Sequence, residues 1–406
     1  MFADRWQKIL DAQGDSPALR QPGRTWTFAE LDHAARKRPA DTCPVLGRCH
    51  LARGDAAQLT IALLAGFLDD LPVQVIEADR ERRLPACPPP PGTALIKQTV
   101  GSSGRRRCQF FTLDQVLADT DRLHTALGLA KLDGAIAAVS VAHSYGLSTT
   151  LLQLLGHGLP VHWLPSPFPA GLSEALAVSG RLLLPGVPAL WKAWLDAGID
   201  FHAVGRAVCA GAPLRPELGQ RLQACVGLKL HNLYGTSETG AISADLTDTP
   251  RSDEPDLGTL LPGVTVTIGP DDRLLVASDA VGLGYDAPEP GEVFGNGQHL
   301  TWDRIEIVND RLHFRGCLGA GIQVAGRKLS PFEVASRLRA ATGLDGIDVR
   351  GEPSRDPERG QEVVAVVDLP ADQLTRDFKT RACAGLAPWE TPRRWVSSHS
   401  PPNTKH

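Results

Sequence analysis

The stretch HNLYGTSETGAIS, residues 231–243, sets a tyrosine, two glycines, several hydroxyls and one carboxylate close together. The apolar residues around its start, 226–233, predict a short strand that ends in a turn at Gly235. Side chains at a strand end lie at the edge of a sheet, where α/β folds bind their ligands. A glutamate there can hold Mg²⁺ while neighbouring hydroxyls donate to a phosphate. An ordinary polar loop would have the same composition, so other parts of the chain must distinguish a ligand site from such a loop.

Upstream of this stretch, short apolar segments alternate with amphipathic ones. The segments that predict strands are AIAAVSVA (135–142), PVHWLP (160–165) and RAVCAGAP (206–213), and those that predict helices are GLSTTLLQLLGHG (146–158), VPALWKAWLDAG (187–198) and RPELGQRLQACVG (215–227). This alternation predicts an α/β fold whose sheet is mostly parallel and is covered by helices on both faces.

From about Asp256 the pattern changes to short β segments and turns, and a final α+β segment follows. The glycines of GCLGAG, 316–321, offer a flexible joint between the two parts. We therefore predict a large N-terminal domain of layered, mostly parallel sheets and helices over residues 1–318. A small α+β C-terminal lid domain is predicted over residues 319–406.

Composition excludes several classes of protein. A chain of 406 residues with 42% hydrophobic and 22% charged residues is long enough for a large core and two domains. A net charge of -4 argues against binding to nucleic acid or to a membrane surface. We find no signal-peptide core and no apolar run of about 18 residues, the length of a membrane span. The 8 cysteines lack CxxC spacing, which indicates reduced thiols and a cytoplasmic location.

A second hydroxyl-rich stretch, KQTVGSSGRRR, covers residues 97–107. Gly101 and Gly104 allow the backbone to fold tightly, so that its N–H groups can surround a phosphate. The side chains that add donors or positive charge are Thr99, Ser102, Ser103 and the arginines at 105–107. The spacing differs from the GxxxxGK[ST] of a P-loop, which argues against an NTPase of that kind. A solvated loop rich in Gly, Ser and Arg is the alternative.

In their order along the chain, these stretches resemble the superfamily of adenylate-forming enzymes, which includes acyl- and aryl-CoA synthetases, peptide-synthetase adenylation domains and luciferases. The matching segments are the phosphate loop at 99–107, VAHSYGL at 141–147, CAGAPLRPEL at 209–218, NLYGTSETG at 232–240, TWDR at 301–304 and the hinge and lid segment at 314–334. The resemblance covers nearly the whole chain. It implies that a carboxylate attacks the α-phosphate of ATP, giving an acyl-adenylate and pyrophosphate, and that a thiol then displaces AMP.

The resemblance also implies a role for individual residues. Tyr234 would stack on adenine, Ser237 would donate to the α-phosphate, and Glu238 would hold Mg²⁺. Asp303 would accept both ribose hydroxyls, and His143 would border the pocket of the substrate carboxylate unless it is an ordinary core histidine. The remaining nucleotide-binding positions would be Thr99, Gly101, Ser102, Ser103, Gly104 and Arg107 around the phosphates, and Gly211, Ala212, Pro213, Asn232, Leu233, Gly235 and Thr236 around the base.

Several positions depart from the family pattern. Arg107 replaces the lysine of the phosphate loop, and Cys317 replaces an arginine that bonds ribose in the family. Gly319 and Gln323 replace the hinge residue and a lysine of the lid. Lys405 stands about two residues from the position of the family's adenylation lysine. It could take that role, and a lysine without a part in the reaction is the alternative.

Two functions remain open at this point. The first is an ATP-dependent ligase that joins an aryl or fatty acid to coenzyme A or to the phosphopantetheine of an acyl carrier protein. The second is a degenerate relative that binds nucleotide or acyl ligand without efficient turnover. The arginines at 381, 393 and 394 form a basic cluster that could meet either acceptor, although a solvated charged face is the favoured explanation.

Overall fold

The computed structural model describes residues 2–77, 81–100, 106–177, 180–288, 291–317, 321–329, 331–344 and 346–398. The α/β fold class predicted from the sequence is confirmed. Within these ranges, no helix is long and apolar enough to cross a membrane.

The helices carry both amphipathic and wholly apolar patterns. They are α1 (Phe2–Gln13), α2 (Phe28–Lys37), α3 (Ala56–Asp69), α4 (Leu113–Ala126), α5 (Ser144–Thr149), α6 (Leu151–His157), α7 (Pro169–Leu176), α8 (Pro188–Asp196), α9 (Pro216–Val226), α10 (Pro331–Thr342) and α11 (Arg376–Ala382).

The strands are short, and most are buried on at least one face. They are β1 (Pro17–Gln21), β2 (Arg24–Thr27), β3 (Asp41–Cys43), β4 (Gly47–Ala52), β5 (Val73–Val75), β6 (Thr93–Val100), β7 (Arg106–Thr112), β8 (Gly134–Ala137), β9 (Val161–Trp163), β10 (Leu182–Gly186), β11 (Val204–Cys209), β12 (Leu230–Thr236), β13 (Gly240–Ala244), β14 (Asp256–Leu260), β15 (Thr265–Ile268), β16 (Arg273–Ala277), β17 (Gly284–Tyr285), β18 (Phe294–Gly295), β19 (Gln298–Val308), β20 (Arg311–Cys317), β21 (Ile322–Val324), β22 (Arg327–Leu329), β23 (Ile347–Pro353), β24 (Gln361–Val367) and β25 (Arg394–Ser397).

The largest sheet has the order β15-β16-β19-β20-β14-β13-β12-β11-β10-β8-β9-β1-β2, with β18 beside β19. The run from β12 to β1 is parallel, as the alternation of strands and helices predicts. The strands on the other side, from β12 to β15, pair antiparallel, and short hairpins connect β12 to β13, β15 to β16 and β19 to β20. The parallel order therefore holds for one half of this sheet.

A second sheet of the N-terminal part has the order β17-β7-β6-β5-β4-β3. Two capping boxes define the helices beside it: Thr112 and Gln115 begin α4, and Asp55 and Gln58 begin α3. Helix α3 is apolar around most of its circumference and is buried accordingly. These two helices and the parallel half of the large sheet contribute to one extensive hydrophobic core.

The chain divides into two compact units. The first comprises Met1–Thr99, Arg107–Ala210 and Leu214–Cys317. The second comprises Val100–Arg106, Gly211–Pro213 and Leu318–His406. The second unit has its own core, in which α10 and α11 pack with the sheet β23-β24-β25 and the hairpin β21-β22.

Two local predictions are wrong. Gly235 is not in a turn: β12 continues to Thr236, and the turn is formed by residues 237–239. Gly235 is needed for another reason, because a Cβ at this position would overlap the carbonyl oxygen of Gly240 on β13. The helix predicted over 146–158 is interrupted at Thr150, whose hydroxyl bonds back to the carbonyl of Gly146.

Candidate active site

The hairpin of β12 and β13 presents Ser237 and Glu238 in its turn. Thr236 organises this turn, because its hydroxyl accepts a hydrogen bond from the Glu238 N–H (3.2 Å) and lies 3.1 Å from the Thr239 hydroxyl. The Gly282 N–H donates to the Glu238 carbonyl at 2.9 Å. The backbone that carries the glutamate is therefore held from both sides.

Asp119 on α4 supports the second strand of the hairpin. Its carboxylate accepts a hydrogen bond from the Ala241 N–H at 2.8 Å. Gly240 precedes that residue with φ at +68°, and a Cβ there would overlap the same carboxylate. A glycine is therefore required at 240 both by its conformation and by the close approach of Asp119.

Tyr285 brings two of the predicted site residues together. Its hydroxyl donates to Oε1 of Glu238, and the Thr99 hydroxyl lies 3.4 Å from the Tyr285 oxygen. Burial raises the pKa of Tyr285 well above its ordinary value, and the neighbouring Glu238 carboxylate raises it further. The phenol therefore stays protonated and acts as a donor to Glu238.

Tyr234 and Asp303 meet at the other side of the hairpin. The Tyr234 hydroxyl donates to Oδ2 of Asp303 at 2.8 Å. Asp303 lies on β19 directly opposite Cys317 on β20. Asp303 and Cys317, the position at which the family has an arginine, are therefore neighbours on adjacent strands. Recognition of ribose by Asp303 stays a prediction.

Helix α5 begins next to the hairpin. The Ser144 hydroxyl donates to the Ser237 hydroxyl at 3.2 Å. His143 caps the helix as an exposed residue, with its Nδ1 accepting from the Tyr145 N–H at 3.4 Å. His143 is therefore not a buried core histidine. The Tyr145 hydroxyl reaches the carbonyl of Val208 at 3.1 Å, which ties α5 to β11.

Arg107, which stands in place of the phosphate-loop lysine, already has partners within the protein. Its guanidinium is buried and pairs with Glu292 at 2.6 Å, and it stacks over the Tyr285 ring with 3.7 Å between the guanidinium carbon and the ring centroid. The charge is already compensated by Glu292. Binding of phosphate by Arg107 therefore stays a prediction, and it would require this ion pair to open.

The residues predicted around the base are found on or after the central strands. Asn232 and Leu233 are buried in β12, and Asn232 lies opposite Cys209 of the parallel strand β11. Residues 211–213 follow the carboxyl end of β11 along the chain, and Gly211 has φ at +84°. This is the end of a parallel strand at which α/β folds place ligands.

Other predicted positions lie outside the described residues. They are Gly101, Ser102, Ser103 and Gly104 of the phosphate loop, Gly319 of the hinge, and Lys405. Their roles stay predictions.

The residues present fit a magnesium ion that binds mainly to substrate phosphates. Among the described residues, no group of three or more His, Cys, Asp or Glu side chains could hold a metal by itself. Mg²⁺ commonly uses one or two carboxylates together with substrate phosphates and water. The Glu238 carboxylate, held in the turn beside Tyr285, matches that kind of site.

Sequence reasoning missed Tyr285, Glu292 and Lys97. The first two are far along the chain from their partners Glu238 and Arg107, and no local pattern connects them. Lys97 could have been noticed, because it lies inside the apolar strand TALIKQTV. A lysine there either reaches solvent or is buried with a compensating interaction.

The AMP-binding enzyme family matches residues 50–300, which is more than half of the chain. The chain belongs to this family. The match includes the hairpin with Glu238 and most of the strands that surround it.

Two curated relatives and one solved structure illustrate the similarity. The chain is 24% identical to a long-chain-fatty-acid–CoA ligase of Bacillus subtilis (strain 168), over 79% of this chain and 61% of the relative. It is 24% identical to a 3,4-dihydroxybenzoate–[aryl-carrier protein] ligase of Bacillus anthracis, over 68% of this chain and 62% of the relative. The chain thus spans less than two thirds of the length of both relatives.

The solved structure is a malonyl-CoA ligase in a ternary product complex with methylmalonyl-CoA and AMP. It superimposes with a TM-score of 0.77 at 20% identity, covering 96% of this chain and 97% of the other. At this identity the likeness establishes the fold.

Proposed function

We propose that the chain is an ATP-dependent carboxylate ligase that forms an acyl- or aryl-adenylate and transfers the acyl group to a thiol. The observation that carries the proposal is the turn of the β12–β13 hairpin. It presents Ser237 and Glu238 together, with Thr99 connected to Glu238 through Tyr285. Membership of the AMP-binding enzyme family supports the same reaction.

In the first step, a carboxylate oxygen of the acid attacks the α-phosphorus of ATP. The bond between that phosphorus and the bridging oxygen breaks, and pyrophosphate leaves with the electron pair. Ser237 would donate a hydrogen bond to the α-phosphate, with its hydroxyl oriented by Ser144 at 3.2 Å. Glu238 would hold Mg²⁺, which supplies charge neutralisation for the phosphates when bound.

In the second step, a thiolate attacks the acyl carbon, and AMP leaves as the anion. Either coenzyme A or the phosphopantetheine of a carrier protein would serve as the thiol, and the two curated relatives are named for one acceptor each. Of the predicted basic cluster, Arg394 is paired with Glu352 at 2.7 Å. Adding either acceptor to a preformed adenylate, and measuring release of AMP, would distinguish them.

A binding module without efficient turnover is the second candidate. The buried ion pair of Arg107 and Glu292 favours it, because this pair neutralises the cation that the phosphate loop would need. A protein of that kind would bind ATP or an acyl ligand and would not exchange pyrophosphate.

Pyrophosphate exchange into ATP, measured with a panel of carboxylic acids, tests the proposal. Exchange with at least one acid supports the ligase, whereas ATP binding without exchange favours the binding module. Glu238→Ala should lower the exchange rate by about 10²–10³-fold, the effect of removing one preorganised electrostatic group. Glu306→Ala is the control, because Glu306 is an exposed partner of Arg315 and such surface pairs contribute about 0–1 kcal/mol.

A further inference from the structure

Lys97 is a buried cation close to the candidate active site. The residue lies on β6, its exposed fraction is 8%, and its Nζ stands 4.3 Å from the centroid of the Phe111 ring. The ammonium group faces this ring, and Asp119 and Glu238 act on it through their charges. Contact with an aromatic face compensates only part of the cost of removing an ammonium from water.

Two carboxylates influence Lys97 without bonding to it. Burial lowers the pKa of Lys97 to about 8, and the charges of Asp119 and Glu238 act in the opposite direction. Each carboxylate already has another donor: the Ala241 N–H for Asp119 and the Tyr285 hydroxyl for Glu238. At neutral pH, Lys97 is therefore mainly a cation that retains its hydrogen-bonding capacity.

A second buried polar group lies on the same sheet. Gln109 on β7 is fully buried, and neither atom of its side-chain amide has a partner within the described part of the chain. It is two residues from Phe111, so both side chains lie on one face of the strand. Its cross-strand partner is Tyr285, the donor to Glu238. Gln109 therefore stands between the Glu238 end and the Lys97 end of this face.

Helix α5 has one residue near the Glu238 end of this face and another near the Lys97 end. Ser144 contacts Ser237 at its first turn, and Ser148 follows four residues later on the same face of the helix. Ser148 is buried and, together with Lys97, lines a cavity with space for about one water molecule. Four residues of helix span about 6 Å, which is the distance along α5 between the two serines.

We propose that Lys97, with Gln109 and Ser148, binds an acceptor oxygen at the far end of the acid substrate. This inference rests on the proposed function and specifies its substrate class. The preferred acids would carry a second carboxylate or a keto oxygen roughly 6 Å from the carboxylate that is activated. A purely aliphatic tail would leave Lys97 and Gln109 unpaired, and an unpaired buried polar group costs about 1–3 kcal/mol.

Three acids with five carbon atoms test the proposal: pentanoate, 4-oxopentanoate and glutarate. The readout is the ratio of kcat/KM in pyrophosphate exchange for each oxygen-bearing acid to that for pentanoate. The wild-type ratio should exceed one for glutarate, 4-oxopentanoate or both, and Lys97→Met should lower it by about 10–100-fold, mainly through KM. A ratio above one with 4-oxopentanoate alone would identify the acceptor as a neutral oxygen.

A merely structural role for Lys97 would reduce the rate with all three acids alike and leave the ratio unchanged, which would overturn the proposal. A wild-type ratio near one would overturn it too. Gln109→Leu, an apolar replacement of similar size, provides a second variant should Lys97→Met fold poorly, and it should also lower the ratio. Lys192→Met, at a lysine on α8 whose side chain is 45% exposed, should leave the ratio as in the wild type.

The absence of exchange with any acid would count against the proposed function, and calorimetric titration then tests the Lys97 site separately. Tighter binding of glutarate or 4-oxopentanoate than of pentanoate, lost in Lys97→Met, would support the site even though the ligase proposal had failed. Equal binding of all three acids by both proteins would overturn the site as well.

Discussion

Lys97 and Lys229 are buried to nearly the same extent, with 8% and 9% of their surface exposed, but their surroundings differ. Lys229 lies 2.5 Å from Asp245, whose side chain is fully buried, and it also donates to the Thr249 carbonyl. Lys97 has an aromatic ring beneath its ammonium group and two carboxylates nearby that are bonded to other donors. Removing one partner of a buried ion pair strands the other charge and is strongly destabilising, whereas a buried charge without a partner is available to a ligand.

Asp245, the partner of Lys229, has several hydrogen-bond donors around its carboxylate. Burial alone would raise its pKa, but hydrogen bonds from Lys229 and from the Thr247 hydroxyl lower it below its ordinary value. Arg311 contributes at 3.4 Å and pairs with Asp256 at 2.7 Å. The charges connect β12, β13, β14 and β20 near the join between the parallel and antiparallel halves of the large sheet.

The largest effect is expected from Lys229→Met. Removing this ammonium leaves the buried Asp245 carboxylate without its nearest cation, so the free energy of unfolding should fall by about 3–5 kcal/mol. Lys97→Met is the matched substitution, and it should cause no comparable loss because no buried partner is stranded. Urea unfolding of both variants measures the difference. Equal destabilisation by the two substitutions would contradict the distinction between the two lysines.

A somewhat smaller effect is expected from pH. The pKa of Lys97 is about 8 in the folded state, below the ordinary lysine value of 10.5, so the unfolded chain binds more protons between these two pH values. The unfolding free energy of the wild type should therefore rise relative to Lys97→Met as pH increases from 8 to 10.5. The full gain would be about 3 kcal/mol.

Urea unfolding of the wild type and Lys97→Met at pH 7.5 and at pH 10 would measure this gain, since other titrating groups cancel in the difference. A difference between the two proteins that is independent of pH would mean that Lys97 is more accessible to water than the structure indicates.

The smallest effect concerns ATP. Asp303 receives a hydroxyl hydrogen bond from Tyr234, in contrast to the ammonium that Asp245 receives. If Asp303 serves the ribose, Asp303→Ala should weaken ATP binding by about 1.5–3 kcal/mol, the range for hydrogen bonds to a charged group. Isothermal titration calorimetry measures it, with Asp272→Ala, an exposed partner of Arg304, as the control. Unchanged affinity would remove Asp303 from the nucleotide site.

Much of the fold could be predicted from the sequence because its signals are local. Helices α8 and α9 begin at a proline and end near a glycine, and both were predicted to within about two residues. The prediction failed where a side chain competes with the backbone, as at Thr150, and where a glycine serves packing between strands, as at Gly235.

The candidate site was predictable to a smaller degree. Motif order located Thr99, Glu238, Tyr234 and Asp303, and the structure connects these in two pairs, one of them through Tyr285. No pattern in the sequence could have revealed Tyr285 as that connection. The residues 101–104 and 405 lie outside the described structure, so their part in the site is still known from the motif alone.

The sequence by itself determined the types of element, their order along the chain and the positions of the family motifs, because periodicity, capping and turn residues act over a few neighbours. Only the tertiary structure decided where charged side chains go. Arg107 meets Glu292 across 185 positions of the chain, and Lys97 is enclosed by α4, α5 and the β12–β13 hairpin. The environment of a buried charge is built from distant segments, and that environment separates a structural ion pair from a cation available to a ligand.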